Sequence, residues 1–155
     1  MKNLKLRITQ FEKRPYRFTE VLDRSIVEAF EDLPSLTEDI KVNGVVELAG
    51  KTVIAKADIH SAYQTQCVRC LAPIDGKLDI PNFQVVLQIE KEDTIDLTEN
   101  IREDIILALS PRFLCKDTCK GLCPHCGKNL NKAKCTCKNS EQDNGPWKIL
   151  DGFKL

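Results

Sequence analysis

An α+β architecture is expected: an antiparallel β-sheet domain with two helices, followed by a small four-cysteine module. Three observations predict it. Period-two alternation of apolar and polar residues recurs in four stretches joined by short connections, which favours antiparallel pairing. Two further segments carry apolar stripes at helical spacing. All eight cysteines fall in closely spaced pairs, six of them between residues 112 and 138. The composition is compatible with a packed core, because 42% of the 155 residues are hydrophobic and only seven are Gly and seven Pro. It excludes collagen-like and intrinsically disordered readings.

The elements follow in order. Residues 2–9 alternate as a strand. Residues 19–31 predict a helix, with Leu22, Ile26, Ala29 and Phe30 on one stripe, Thr19 as cap and Pro34 beyond the end. Residues 40–48 place Val42, Val46 and Leu48 on one strand face. Ala49-Gly50-Lys51 suits a hairpin turn into a strand over 52–66. There Val53, Ala55, Ala57, Ile59 and Tyr63 point inward, and Lys56, Asp58, His60 and Gln64 outward. Pro73 and Asp75-Gly76 read as turns before a strand over 83–91, whose inward set is Phe83, Val85, Leu87 and Ile89. A second helix starts at Asp96 as cap, with Glu99 placed as in a capping box. Its stripe is Ile101, Ile105, Ile106 and Leu109, and Ser110-Pro111 stops it. Three units result: a sheet-and-helix domain over 1–111, a cysteine-rich module over 112–138, and a polar linker with a docking tail over 139–155. The tail carries Trp147, Ile149, Leu150 and Phe153.

The cysteines carry the chemistry. The first residues alternate charge with apolar side chains, unlike the apolar core of an export signal, and the longest apolar run, Ile105–Leu109, is far too short to span a bilayer. A cytoplasmic location is therefore expected, where thiols stay reduced and a disulfide framework is disfavoured. Cys123-Pro-His-Cys126 places two sulfurs on one side of a tight turn, and Cys135-Thr-Cys137 brings a second pair eight residues later. Two such pairs can close a tetrahedral four-sulfur site, for which soft thiolates favour zinc over its competitor, an iron–sulfur cluster. Cys67-Val-Arg-Cys70 and Cys115-Lys-Asp-Thr-Cys119 have ligand-like spacing too, and can meet only by tertiary contact. That second site would staple the sheet to the module, giving two zinc ions, each held by four cysteines. His125 lies between two ligands and is an alternative donor, whereas His60 reads as an ordinary exposed residue. The module is too poor in apolar residues to fold without metal.

Charge is balanced overall, with 23 basic and 23 acidic residues, but not locally. Residues 112–138 hold Arg112, Lys116, Lys120, Lys128, Lys132, Lys134 and Lys138 against Asp117 alone, an excess of +6. One reading makes these seven residues contacts to an RNA backbone. The other is charge compensation, since an ion held by four thiolates carries two net negative charges. No aromatic residue lies between the lysines, which disfavours recognition by base stacking.

These motifs resemble a known family. Cys67-Val-Arg-Cys70-Leu71, the Ile95-Asp96-Leu97 helix start with Glu103, and Cys115…Cys119-Lys-Gly-Leu-Cys123-Pro-x-Cys126-Gly-x-Asn-Leu-Asn…Cys135-x-Cys137 resemble the bacterial YceD-like proteins, the large-subunit ribosomal RNA accumulation proteins. The carboxy-terminal end departs from the family pattern, reading Asn144-Gly-Pro-Trp-Lys where such proteins tend to close with Asp-Pro-Arg and a helix. The resemblance implies a role in synthesis, processing or stability of the large-subunit (23S) ribosomal RNA during ribosome assembly. Ribosomal RNA, a large-subunit ribosomal protein or a pre-ribosomal particle would be the partner, with no membrane and no small-molecule substrate. The residues agree with a non-enzymatic reading: the chain contains no nucleophile–base set and no phosphate-cradling glycine loop, and four sulfurs per ion leave no open position for water. Two alternatives are a thiol redox sensor using the Cys67/Cys70 dithiol, its acidity raised by Arg69, and a zinc-ribbon nucleic-acid-binding protein in transcription.

Overall fold

A computed structural model describes residues 3–27, 34–90, 93–109 and 112–137. Seven strands and one helix are present among them: β1 (Lys5–Arg7), β2 (Tyr16–Leu22), β3 (Ser35–Leu36), β4 (Ile40–Ala49), β5 (Thr52–Gln66), β6 (Pro73–Gln88), β7 (Thr94–Asp96) and α1 (Thr98–Ala108). The main sheet is five-stranded and wholly antiparallel. β5 is its spine. β6 runs along one edge of β5, and β4 and then β3 share the other, with β2 outside β4. β1 and β7 form a separate two-stranded ribbon.

Alternation decides which face is covered. Ile40, Val42 and Val46 of β4, Val53, Ala55, Ala57 and Ile59 of β5, and Phe83 of β6 are all buried, while Lys41, Asn43, Lys56, Asp58 and Gln84 face out. The helix completes the same core with Ile101 and Ile105, both fully buried, and leaves Leu107 82% exposed on its far side. Fully burying one such aliphatic side chain contributes about 1.5–3 kcal/mol, and no cysteine belongs to this core, since Cys67, Cys70 and Cys119 pack in a cluster of their own. The Gly50 turn between β4 and β5 has φ +66°, the left-handed conformation that glycine adopts without strain.

The structure corrects four expectations. Residues 19–27, the described part of the helix expected over 19–31, form no α-helix. Tyr16–Leu22 is a strand paired with β4 from Tyr16↔Val46 to Leu22↔Ile40, followed by a single 3-10 turn over Arg24–Ile26 capped by Asp23. Leu22 and Ile26 are both buried, which produced the helical spacing, but Phe18 and Leu22 alternate against exposed Arg17, Thr19 and Val21. Pairing to β4 overrides the four-residue coincidence, and Thr19 is an outward strand residue instead of a cap. Ala29 and Phe30 lie outside the described residues. Second, neither Pro73 nor Asp75-Gly76 is a turn before a strand at 83: β6 already starts at Pro73, opposite Gln66, and ends at Gln88, with Gly76 opposite Tyr63 and Asp75 opposite Gln64. A Cβ at Gly76 would overlap the Tyr63 ring, so the glycine marks a cross-strand ring contact.

Third, β1 covers only three of residues 2–9, the chain turning into a 3-10 turn at Ile8–Gln10. Fourth, Asp96 closes β7 and its carboxylate accepts the Thr98 amide at 3.0 Å, while Leu97 occupies the cap position. Glu99 pairs with Arg102 at 3.0 Å in place of completing a capping box. The tail residues Trp147, Ile149, Leu150 and Phe153 lie outside the described residues.

Candidate metal centres

The hairpin between β5 and β6 ends in the first cysteine pair. Cys67 follows the last residue of β5, its amide donating to the Ala72 carbonyl at 2.8 Å, and the Leu71 amide returns to the Cys67 carbonyl at 2.9 Å. This tight knuckle holds Leu71 at φ +56°. The chain after α1 comes back to the same tip. The Val68 amide donates to the Phe113 carbonyl at 3.0 Å, the Leu122 amide to the Arg69 carbonyl at 3.1 Å, and the Arg69 guanidinium to the Cys119 carbonyl at 3.1 Å. The rings of Tyr63 and Phe113 meet at 5.1 Å with a 50° tilt. Gly121, at φ +74°, lets the backbone pass against Arg69.

These contacts gather Cys67, Cys70, Cys115 and Cys119 into one group, and Cys123, Cys126, Cys135 and Cys137 form another. In each, the four sulfurs lie within 4.8 Å of one another. Cys67 and Cys119 are 3.8 Å apart and Cys70 and Cys115 3.6 Å. In the second group Cys126 and Cys135 are 3.5 Å apart, and Cys135 and Cys123 3.3 Å. A disulfide needs about 2.05 Å. A tetrahedron with metal–sulfur bonds of about 2.3 Å has sulfur–sulfur edges of about 3.8 Å. The donor set therefore fits a metal ion far better than a disulfide. Cys67, Cys70, Cys119 and Cys123 are buried, whereas Cys115, Cys126 and Cys137 are exposed.

Backbone amides shape the acidity of the sulfurs. Burial pushes the Cys67 thiol up, but amides of Cys115, Arg69 and Cys70 aimed at the sulfur outweigh it and hold it at about 6. Cys123 is likewise held at about 6 by the amides of Cys126 and His125. Cys119 is lowered: the Gly121 amide and the Asn131 side chain overcome its burial. The neighbouring Cys70 thiol drives Cys115 up to about 12, and Cys135 does the same to Cys137. Donors that stabilise a bare thiolate also stabilise a metal-bound one.

The other sequence candidates are placed as follows. His125 is exposed and belongs to neither group. His60 is exposed on β5 and its Nδ1 lies 2.8 Å from Asp79. Arg112, Lys116, Lys120, Lys128, Lys132 and Lys134 are all exposed on the cysteine-rich segment, and Lys138 lies outside the described residues. Asn131 is a further residue of the first group's surroundings that cysteine spacing does not mark. Its side-chain nitrogen donates to the Cys119 sulfur at 3.3 Å, and the only signal was its place in Asn129-Leu-Asn131 after a cysteine knuckle.

A family model described as large ribosomal RNA subunit accumulation protein YceD matches residues 84–154, which include six of the eight cysteines. Over residues 84–154, a little under half of its length, the chain is similar to this family. Curated relatives named large ribosomal RNA subunit accumulation protein YCED homolog 1, chloroplastic, agree with it. That of Arabidopsis thaliana is 43% identical over 51 residues, covering 33% of this chain and 16% of its own length. That of Zea mays is 47% identical over 66 residues, covering 42% of this chain and 22% of its own. An uncharacterised protein of Mycobacterium tuberculosis is 25% identical over 100 residues, 55% of this chain and 48% of its own length. The chain thus spans less than half the length of these relatives. No solved structure matches it. Among the described residues no helix is long and apolar enough to cross a membrane.

Proposed function

We propose that this chain is a non-catalytic zinc protein that supports accumulation of the large-subunit (23S) ribosomal RNA during ribosome assembly. One observation carries the reading. The YceD-matched segment contains one complete four-sulfur group and half of another, and the latter is completed by the tip of the β5–β6 hairpin. Zinc suits both groups because it is tetrahedral, thiophilic and redox-inert. The first ion would lock the cysteine-rich segment onto the sheet. The second would fold the loop that carries Lys128, Lys132 and Lys134. Both centres are saturated by sulfur, so zinc would supply folding energy and charge, with no water or substrate activated on it.

A rigid segment studded with exposed lysines suits contact with an RNA backbone or an RNA-rich particle, by charge instead of by base reading. Depleting the protein from its host is expected to lower the ratio of large- to small-subunit ribosomal RNA. The tagged protein is expected to sediment with pre-ribosomal particles at low salt and to leave them as salt rises. An unchanged rRNA ratio together with sedimentation as free protein at low salt would defeat the proposal. The dithiol reading has support in the acidity of Cys67, but a redox thiolate must be accessible and Cys67 is fully buried against Cys119. Recognition of DNA by a helix has no support in the cysteine-rich segment, since α1 is the one α-helix among the described residues and precedes it.

A further inference from the structure

The loop between Cys126 and Cys135 belongs to the second centre by its ends and to the first centre by its middle. Asn131 lies in that middle. Its Nδ2 donates to the Cys119 sulfur at 3.3 Å and to Asn129 Oδ1 at 3.0 Å, and its Oδ1 accepts the Lys120 amide at 3.0 Å. The amide has one sensible orientation. Turning it over would aim the side-chain NH2 at the Lys120 N–H and leave an oxygen against the sulfur, opposing donors and then acceptors. Asn129 Oδ1 also accepts the Asn131 backbone amide at 2.9 Å, fixing the turn from which the side chain projects.

The rest of the loop is anchored from both sides. The Cys123 amide donates to the Lys128 carbonyl at 2.9 Å and the Leu130 amide to the Gly121 carbonyl at 3.0 Å, while Leu122 and Asn129 form an isolated β-bridge. Both ends of the loop, Cys126 and Cys135, are sulfurs of the second group. Closing that group with an ion therefore sets the loop, and the loop sets the donor on Cys119.

We propose that Asn131 is a positioning residue that couples the two metal centres, so that filling the second centre strengthens the first through the Asn131–Cys119 hydrogen bond. This rests on the reading that both groups hold zinc. Coupling of this kind is reciprocal: the filled first centre, by fixing Cys119 and thus Asn131, favours the closed loop of the second. The effect belongs to outer hydrogen bonds on metal ligands, whose loss costs roughly 10–100-fold in metal affinity.

The test is a competition of the zinc-loaded 155-residue chain against a chelator of graded concentration, read by native mass spectrometry as populations with zero, one and two ions. Peptide-resolved thiol labelling identifies the centre that has emptied. The parent is expected to lose both ions over one narrow range with little one-zinc species. Asn131→Ala and the near-isosteric Asn131→Asp are expected to populate the one-zinc species, with the first centre emptying about 10-fold more readily and amide exchange in the sheet unchanged. In a Cys126→Ser/Cys135→Ser background, which lacks the second centre, adding Asn131→Ala is expected to change the first centre by less than about twofold. Two ions that leave the parent independently, or an equal Asn131→Ala penalty with and without the second centre, would overturn the coupling alone. A parent that binds no zinc would overturn the zinc reading as well.

Discussion

Gly76→Ala tests how the cysteine-rich segment is attached to the sheet. Gly76 lies in mid-strand on β6, where alanine is ordinarily favoured over glycine by roughly 0.5–1 kcal/mol. Here the sign reverses. The added Cβ would overlap the Tyr63 ring lying over Gly76 from β5, at 2.5 Å from its Oη. The ring must swing away, and its other neighbour is Phe113, 5.1 Å between centroids, at the start of the cysteine-rich segment. An aromatic pair contributes about 0.5–1.5 kcal/mol, and forcing an extra methyl into a packed site costs about 1–3 kcal/mol. Set against the strand preference, the net destabilisation is about 0.5–4 kcal/mol, or a fall in Tm of about 1–16 °C for a chain of this size. Thermal unfolding of the zinc-loaded protein measures it. Amide exchange at Val68, whose N–H donates to the Phe113 carbonyl, reports whether the cysteine-rich segment has loosened. The decisive comparison is Gly76→Ala in a Tyr63→Leu background. With the ring gone, the alanine becomes neutral or stabilising. Equal destabilisation in both backgrounds, or none in the parent, would refute the aromatic attachment.

Three further outcomes follow from the same geometry. Cys70→Ser removes one ion and lowers amide protection around Val68 and Leu122, whereas Cys126→Ser removes the other ion and leaves those amides protected; metal counting with hydrogen exchange distinguishes them. Gly127→Ala meets no neighbouring atom, but it forces alanine to φ +68°. A left-handed strain of about 1–2 kcal/mol, less about 0.4–1 from the stiffer unfolded chain, weakens zinc at the second centre by about fivefold in chelator competition. If the exposed lysines meet an RNA backbone, each of Lys128→Ala, Lys132→Ala and Lys134→Ala lowers the slope of log K against log salt by about 0.7–0.9, measured by titration with fluorescent RNA. Unchanged slopes would assign these charges to compensating the thiolates.

Much of the architecture is legible in the sequence because burial imposes a local period. The β4–β5 hairpin turns at Gly50 and Lys51, within the expected Ala49-Gly50-Lys51, with β4 running one residue further than expected, to Ala49, and β5 starting at Thr52 as expected. The four-sulfur groups are legible because ligand pairs must be close in sequence to share one turn. What escaped the reading depends on distant neighbours. Leu22 and Ile26 are spaced as on a helix, and only the pairing of β2 to β4 makes Leu22 a strand residue. Asp75-Gly76 has the chemistry of a turn, and only the Tyr63 ring explains a glycine in mid-strand. Asn131 carries no distinctive signature as a residue type, since an asparagine in a loop has many uses. Its place against Cys119 comes from the path of the loop between Cys126 and Cys135.

The metal content of the purified 155-residue chain tests the account most directly, measured together as an intact native mass and as elemental composition. Two zinc ions per molecule are predicted, both released with unfolding of residues 112–137 while the sheet stays protected from exchange. A folded, exchange-protected segment over residues 112–137 that carries no metal would contradict it.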